Sequence, residues 1–361
     1  MKMIYDFKPD NVYRAIGLMS GTSLDGVDLA SCVFTCKDNV WSYQIEVAET
    51  FPYPEEWLSL LPSLMQVDAF TYAKASLDLG YYFGRLIRTF VQSHHIKTDF
   101  VASHGHTVFH QPGIGLTTQI GSGAAMAVTC GLPIVCDFRS NDVGLGGQGA
   151  PLVPIGDSLL FSDFGFCLNL GGFSNVSFEV GGKRIAYDVC PVNTVLNKLA
   201  LRMGLPYDRD GLIARSGNID LLLLSKLNNL SYYDLKPPKS LGFEWNDQNV
   251  WPLINASSLS VPDLLRTVVE HVATQLAQSM SIFEKGKILV TGGGAKNIFL
   301  IERFAQHSKH DLVVPSDLMI DYKEALIFAF LGVLRLRGEI NCLSSVTGAS
   351  RDSIGGALYL P

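Results

Sequence analysis

Two stretches of this chain share one pattern, an apolar run, a short glycine-bearing polar tip and a second apolar run, which predicts strand, turn, strand. In Arg14–Phe34 the first run reaches Met19, Gly21 and Gly26 bracket Thr22, Ser23, Leu24 and Asp25, and the second run starts at Val27. In Phe166–Phe178 the tip is Asn169-Leu-Gly-Gly172. Residues 12–53 read as two or three strands in a meander, and Lys183–Cys190 as another strand. Residues 55–65 and 70–95 read as helices, the second with a 3.6-period stripe of Ala73, Leu77, Leu79, Phe83, Leu86, Ile87 and Phe90. Asp99–Cys136 alternates strands with one short helix near Gly123–Thr129. Pro191 suits the first turn of a helix running to about Met203.

Further helices are predicted near 218–228 and 262–284. Lys287–Asn297 reads as a buried strand running into a glycine turn and a helix, Asp311–Pro315 as a short strand, and Asp321–Arg337 as a long helix. Residues 229–261, with Pro237, Pro238, Trp245 and Trp251, read as a long surface loop. Because the pattern restarts after Pro154, the expectation is a duplicated α/β fold, each half a mixed sheet with helices and a cleft between them. The first domain spans 1–155 and the second 156–320, with the last helical segment, about 321–361, packing back on the first.

Composition narrows the class. Of 361 residues 47% are hydrophobic and 17% charged, and the net charge is −6. That excludes a disordered chain and a basic nucleic-acid footprint. Seven scattered cysteines fit reduced, buried thiols in a cytoplasmic protein better than a disulfide framework. The first ten residues are too polar for a signal peptide. Phe100–Cys136 holds no charged residue, but its His, Gln, Pro and Gly fit buried strands and turns rather than a membrane span.

The tips carry candidate chemistry. Gly21–Asp28 offers a nest of backbone N–H groups for an anion, with Asp25 and Asp28 alongside as oxygen donors for Mg²⁺. It is not a Walker A loop, because Val27 stands where Lys is required. Gly144-Leu-Gly-Gly-Gln-Gly149 has the letters of a dinucleotide fingerprint, but Pro151 and Pro154 prevent a long helix, so it reads as a flexible lip closing on a ligand. His104, His106 and His110 are either metal ligands or buried, satisfied histidines. In a strand the i, i+4 pair His106 and His110 lies ~13 Å apart, which argues against one metal. Asp188 reads as a turn or cap residue ahead of Pro191. Glu324 reads as a carboxylate favoured by a helix N-terminus. Asp208, Arg209 and Asp210 form a charged turn with no assigned chemistry.

Two donor-rich hairpins and a third glycine turn at Gly292–Gly294 resemble the phosphate and nucleoside grip of actin, hexokinase and Hsp70-like proteins. Met19–Asp28, Ser103-His-Gly105, Gly146–Pro154, Asn169–Gly172, Tyr207–Gly211 and Thr291–Asn297 more specifically resemble the anhydro-N-acetylmuramic acid kinases. The likeness runs from about Ala15 to Pro361. It implies a two-domain actin-like ATPase (ribonuclease H-like) fold that uses ATP and Mg²⁺. It further implies a reaction that opens the 1,6-anhydro ring of anhydro-N-acetylmuramic acid and phosphorylates O6, giving N-acetylmuramic acid 6-phosphate in cell-wall recycling.

By the same resemblance Asp188 is the general base. Gly21, Thr22, Ser23, Leu24, Asp25, Gly26, Val27, Asp28, Asn169, Gly171 and Gly172 hold Mg²⁺-phosphates, with Asp25 as the metal ligand. Gly292, Gly293, Gly294 and Lys296 lie near the nucleoside. His104, Arg139 and Glu324 bind the sugar, Arg139 as partner of the lactyl carboxylate unless it pairs with Asp137 or Asp142. The partner is a small molecule, with neither nucleic acid nor membrane implied, and a homodimer is left open.

Two departures stand out. Val189-Cys-Pro-Val-Asn193 replaces the family's Thr-Gly-Pro-Gly-Asn, and Val192 would be strained at a positive φ that Gly tolerates. Ser103-His-Gly-His-Thr107 replaces Ser-His-Gly-Gln-Thr. The rival readings are a metal-dependent carbamoyl or threonylcarbamoyl transferase of the same fold and a non-enzymatic, Hsp70-like nucleotide sensor.

Overall fold

The computed structural model describes residues 12–361, so the reading of the first ten residues lies outside the described part. The strands, in chain order, are β1 (Val12–Ser20), β2 (Val27–Lys37), β3 (Val40–Phe51), β4 (Phe100–Gln111), β5 (Leu116–Ile120), β6 (Ile134–Cys136), β7 (Phe166–Leu170), β8 (Phe173–Val180), β9 (Lys183–Pro191), β10 (Lys287–Thr291), β11 (Asp311–Val313) and β12 (Ala357–Tyr359). They form two mixed sheets, in the orders β12-β6-β4-β1-β2-β3, with β5 on β4, and β11-β10-β7-β8-β9.

The topology repeats. In the first sheet β1–β2 and β2–β3 are antiparallel hairpins, while β4 lies parallel to β1 and β6 parallel to β4. In the second sheet β7–β8 and β8–β9 are antiparallel, while β10 lies parallel to β7 and β11 parallel to β10. Parallel pairs need crossovers of a dozen or more residues, and helices supply them. Ala69–Ser93 lies between β3 and β4, and Val261–Met280 between β9 and β10.

The chain divides into two compact units, one running up to Leu160 and resuming at Tyr322–Pro361, the other Phe161–Asp321. In the first, Asp68 caps the helix Ala69–Ser93 by accepting from the amides of Phe70 and Thr71. The buried stripe of that helix is Ala75, Leu79, Phe83, Ile87 and Phe90, spaced by four residues and finally three, while Ala73 and Leu77 face outward. The last long helix starts at Asp317, earlier than expected, and ends at Arg337. It lies directly on β1: a Cβ at Gly17 would fall 1.8 Å from the carbonyl oxygen of Ala325, so only glycine fits there.

Four local expectations are corrected. Pro191 closes β9 instead of opening a helix, and the helix begins at Asn193 after Val192. Val192 adopts φ −126°, not a positive φ, and is fully buried, so the valine costs no left-handed strain and adds to the core. Residues 229–261 are not a surface loop. They hold short helical pieces, Ser231–Asp234 and Phe243–Trp245 through Trp251–Asn255, and bury Tyr232, Val250, Trp251 and Ile254 in the second unit. Each piece is too short to show a helical period, while Pro237 and Pro238 mimic a loop signature. Beyond Arg337 the chain is not helical throughout: Ser344–Thr347 is a short helix, and β12 pairs antiparallel with β6. No helix of the described residues is long and apolar enough to cross a membrane.

Candidate functional site

In the first unit the tip between β1 and β2 is tight. Leu24 adopts φ 60° and donates its amide to the carbonyl of Gly21 at 3.3 Å. Thr22, Ser23 and Asp25 are exposed. Asp28 lies on β2, opposite Thr50 of β3, whose hydroxyl donates to Asp28 Oδ1 at 2.6 Å and also lies 3.0 Å from the Tyr322 hydroxyl. Behind the tip Ser20 Oγ lies 2.6 Å from the Tyr53 hydroxyl and 2.9 Å from His106 Nδ1.

β4 carries the sugar-site candidate His104; the strand is buried without interruption from Phe100 to His106, so His104 and His106 are both buried, with Gly105 between them at φ 73°. Arg139 donates to His104 Nε2 through Nε at 3.2 Å and Nη2 at 2.9 Å, and through Nη1 to the carbonyl of Gly149 at 2.6 Å. A guanidinium only donates, so His104 Nε2 is an acceptor and Nδ1 carries the proton that goes to the Gly105 carbonyl at 3.0 Å. Burial, reinforced by the Arg139 charge, pushes the His104 pKa down to about 3, so the ring is neutral at physiological pH. Burial lowers His106 to about 4. Both nitrogens of His104 are thus engaged by protein partners, and His106 is engaged through Nδ1. His110 is exposed and pairs with Thr117 at 3.2 Å.

Burial lowers Arg139 to about 10, opposed chiefly by the carboxylate of Glu324. Glu324 is accessible to solvent, yet protein crowds it on enough sides to raise its pKa, with Arg139 and Lys323 opposing and Asp28 adding to the rise. The first unit therefore gathers Asp28, Arg139 and Glu324 into one electrostatic cluster. Beside it, Lys323 and Asp157 form a buried ion pair at 2.7 Å.

Arg139 pairs with neither Asp137 nor Asp142. Asp142, 1% exposed, instead accepts from the Gly149 amide and the Thr347 hydroxyl, each at 2.7 Å, and from Cys342 at 3.1 Å. The Gly144–Gly149 segment, read as a flexible lip, is stitched to 342–350 by these bonds and by Gln148 N to Thr347 O at 2.8 Å and Ser350 N to Leu145 O at 3.1 Å. No local signal could have found this, because the partners lie some two hundred residues apart.

In the second unit the β7–β8 tip and the glycine turn after β10 come together, because Thr291 of β10 pairs with Asn169 of β7. Gly292 adopts φ 81°, and a Cβ there would lie 2.5 Å from Asn169 Oδ1. The carbonyls of Gly171 and Gly172 take the amides of Asn193 and Val192 at 3.3 and 2.9 Å, tying the tip to the helix Asn193–Leu201. Lys296 is ion-paired with Asp321 at 2.7 Å on the surface. Asp208 accepts from the Ile213 and Ala214 amides, both at 2.9 Å, which explains its turn structurally.

Asp188 is half-buried near the end of β9. Its Oδ2 accepts from the Leu241 amide at 2.9 Å. Burial raises its pKa and that N–H partly reverses the rise. The sequence reading missed Leu241, whose part is played by its backbone and so leaves no residue-type signature.

Two units of one topology, each opening on a hairpin with a glycine-bearing tip, define the actin-like ATPase fold. At the level of the fold the chain is similar to the Clostridium difficile activator of 2-hydroxyisocaproyl-CoA dehydratase with bound ADPNP, at 12% identity and a TM-score of 0.43, over 90% of this chain and 96% of that one. The family model described as anhydro-N-acetylmuramic acid kinase matches residues 13–361. The chain is 33% identical to the anhydro-N-acetylmuramic acid kinase of Sulfurovum sp. (strain NBC37-1), over 97% of this chain and 100% of that protein. It is 34% identical to that of Vibrio cholerae, over 96% and 98%. It belongs to the anhydro-N-acetylmuramic acid kinase family.

Proposed function

We propose that this kinase opens the 1,6-anhydro ring of anhydro-N-acetylmuramic acid with water and transfers the γ-phosphoryl group of ATP to the freed O6. Asp188 takes a proton from water as the water oxygen bonds to C1. The C1–O6 bond breaks, and O6 attacks the γ-phosphorus as ADP leaves. The observation that carries this reading is the Asp188 carboxylate, with Oδ2 held by the Leu241 amide and burial raising its pKa toward the working range of a general base.

The tips support phosphate binding through their amides and glycine backbone. Asp25, exposed, and Asp28, half-buried with Oδ1 already taking the Thr50 hydroxyl, are hard oxygen donors that suit Mg²⁺. When bound, the ion neutralises charge on the phosphate oxygens. Gly292–Gly294 and Lys296 are assigned to the nucleoside side. Arg139 is assigned to the lactyl carboxylate, since a guanidinium keeps donors beyond those spent on His104 and Gly149. His104 orients Arg139, and Glu324 faces the sugar hydroxyls. The need for ATP fits a cytoplasmic reaction.

The metal-dependent rival gains no supporting feature from β4, because His104 Nε2 accepts from Arg139 and His106 Nδ1 lies 2.9 Å from Ser20 Oγ. Incubation with Mg-ATP and anhydro-N-acetylmuramic acid should yield the 6-phosphate by mass spectrometry, with one ADP per product. Its absence, with ATP turnover indifferent to the sugar, would favour the sensor. Arg139→Lys should raise KM for the sugar at least tenfold and leave KM for ATP within twofold, because an ammonium cannot make the parallel pair of bonds. Equal effects on both substrates would remove Arg139 from the carboxylate role.

A further inference from the structure

We infer that Tyr232 and Lys239 are positioning residues that fasten the strap 235–241 onto the end of β9 and so aim the Asp188 carboxylate. This rests on the reading of Asp188 as the base. The strap meets Asp188 on two atoms: the Asp188 amide donates to the Lys239 carbonyl at 3.3 Å, and the Leu241 amide donates to Asp188 Oδ2 at 2.9 Å. Tyr232 closes the arrangement from the other side, its hydroxyl donating to the Asp188 carbonyl at 2.6 Å. Lys239 ties the strap back to Tyr232, with Nζ donating to the Tyr232 carbonyl at 3.1 Å and lying 4.5 Å from the centre of its ring. One residue's amide, carbonyl and carboxylate are thus all held by residues 232–241.

The strap needs these bonds because it is thinly backed. Leu235, Pro237 and Lys239 line a cavity of about 170 Å³ whose other walls include Tyr187, Tyr233 and Gln275. Close-packed neighbours hold a segment by contact, whereas residues 235–238, exposed at the rim of a cavity open to solvent, depend on their polar ties. Tyr232 itself is firmly seated, 4% exposed, with its ring 5.3 Å from that of Trp245 and 5.8 Å from that of Tyr233. A loosened strap withdraws the Leu241 amide and lets the carboxylate swing, which affects proton transfer and leaves nucleotide binding alone.

The titratable groups around Asp188 are Tyr232, Lys239, Tyr187 and Cys190, and of these Tyr232, Tyr187 and Cys190 have raised pKa values, so they stay neutral at physiological pH. Tyr232→Phe keeps the ring and its packing and removes only the hydroxyl; Lys239→Met removes the tether while keeping the chain's bulk. Each is expected to lower kcat for 6-phosphate formation about tenfold, the loss of roughly one hydrogen bond, with KM for ATP within twofold and the thermal midpoint within a few degrees. Each is also expected to move the acid limb of the kcat–pH profile upward, because the Leu241 amide no longer favours the carboxylate. A wild-type acid limb and wild-type kcat in both variants would overturn the inference. Asp188→Asn measured in parallel separates the two claims: if it still makes product the base reading fails, whereas if it is inactive and both strap variants behave as wild type only the strap fails.

Discussion

Asp188→Asn should bind Mg-ATP as the wild type does and make at least 10²-fold less 6-phosphate, the scale of a lost general base. The amide oxygen can still accept from Leu241, so the site keeps its shape while losing its proton acceptor. The wild-type rate should fall on the acid side at a pH above the ordinary aspartate range, since burial raises this carboxyl. The stability effect has the opposite sign. Folding raises the pKa, so between the unfolded and folded values the folded state binds more protons and the ionised group costs stability at neutral pH. That cost disappears as pH falls below the ordinary carboxylate range. Asp188→Asn should therefore melt no lower than wild type at pH 8, with any advantage shrinking toward pH 4. Product formation by the variant at the wild-type rate would be incompatible with the base role.

Lys323→Met should be the most damaging single change to stability among those considered. Lys323 and Asp157 are 5% and 3% exposed and 2.7 Å apart. Removing one partner of such a pair leaves an uncompensated buried charge and costs about 3–5 kcal/mol. In a unit of this size that lowers the melting temperature by roughly 10 °C. The double change Lys323→Met with Asp157→Leu should recover most of the loss, because replacing the whole pair by apolar groups avoids desolvation. A single variant melting within 1 °C of wild type would show that water or another group relieves the charge. Because Glu324 follows Lys323 in the chain and feels its charge, the single variant should also lose activity.

Strong local patterns were legible. The hairpins Val12–Lys37 and Phe166–Val180 announce themselves by apolar runs around a glycine tip, and Ala69–Ser93 by a 3.6-residue period over many turns. What failed was short or conditional. Pro191 fits a helix start equally well by propensity, and pairing with Phe173 of β8 makes it a strand end instead. The pieces within 229–261 are helical because Tyr232, Trp251 and Ile254 find a core to enter, not because any of them is long enough to be stable alone. Val192 looked strained only on the assumption that it inherits a glycine's φ.

The candidate site divides the same way. Gly21–Asp28, Asn169–Gly172 and Gly292–Gly294 stand out as glycine-bearing turns, and Asp188, Arg139 and Glu324 as charged residues beside strand and helix ends. Their environments were not visible. His104 could not be separated from a metal ligand until Arg139 was seen donating to Nε2. Nor could the Gly144–Gly149 lip be seen as anchored until Asp142 met Thr347.

By itself the order of residues determined the longer elements, the duplication and the set of chemically able side chains, because these depend on neighbours a few positions apart. Which group each side chain faces, and so its proton affinity and its role, was decided only when distant segments packed together. Burial and hydrogen bonding act through space, and chain separation carries no record of them.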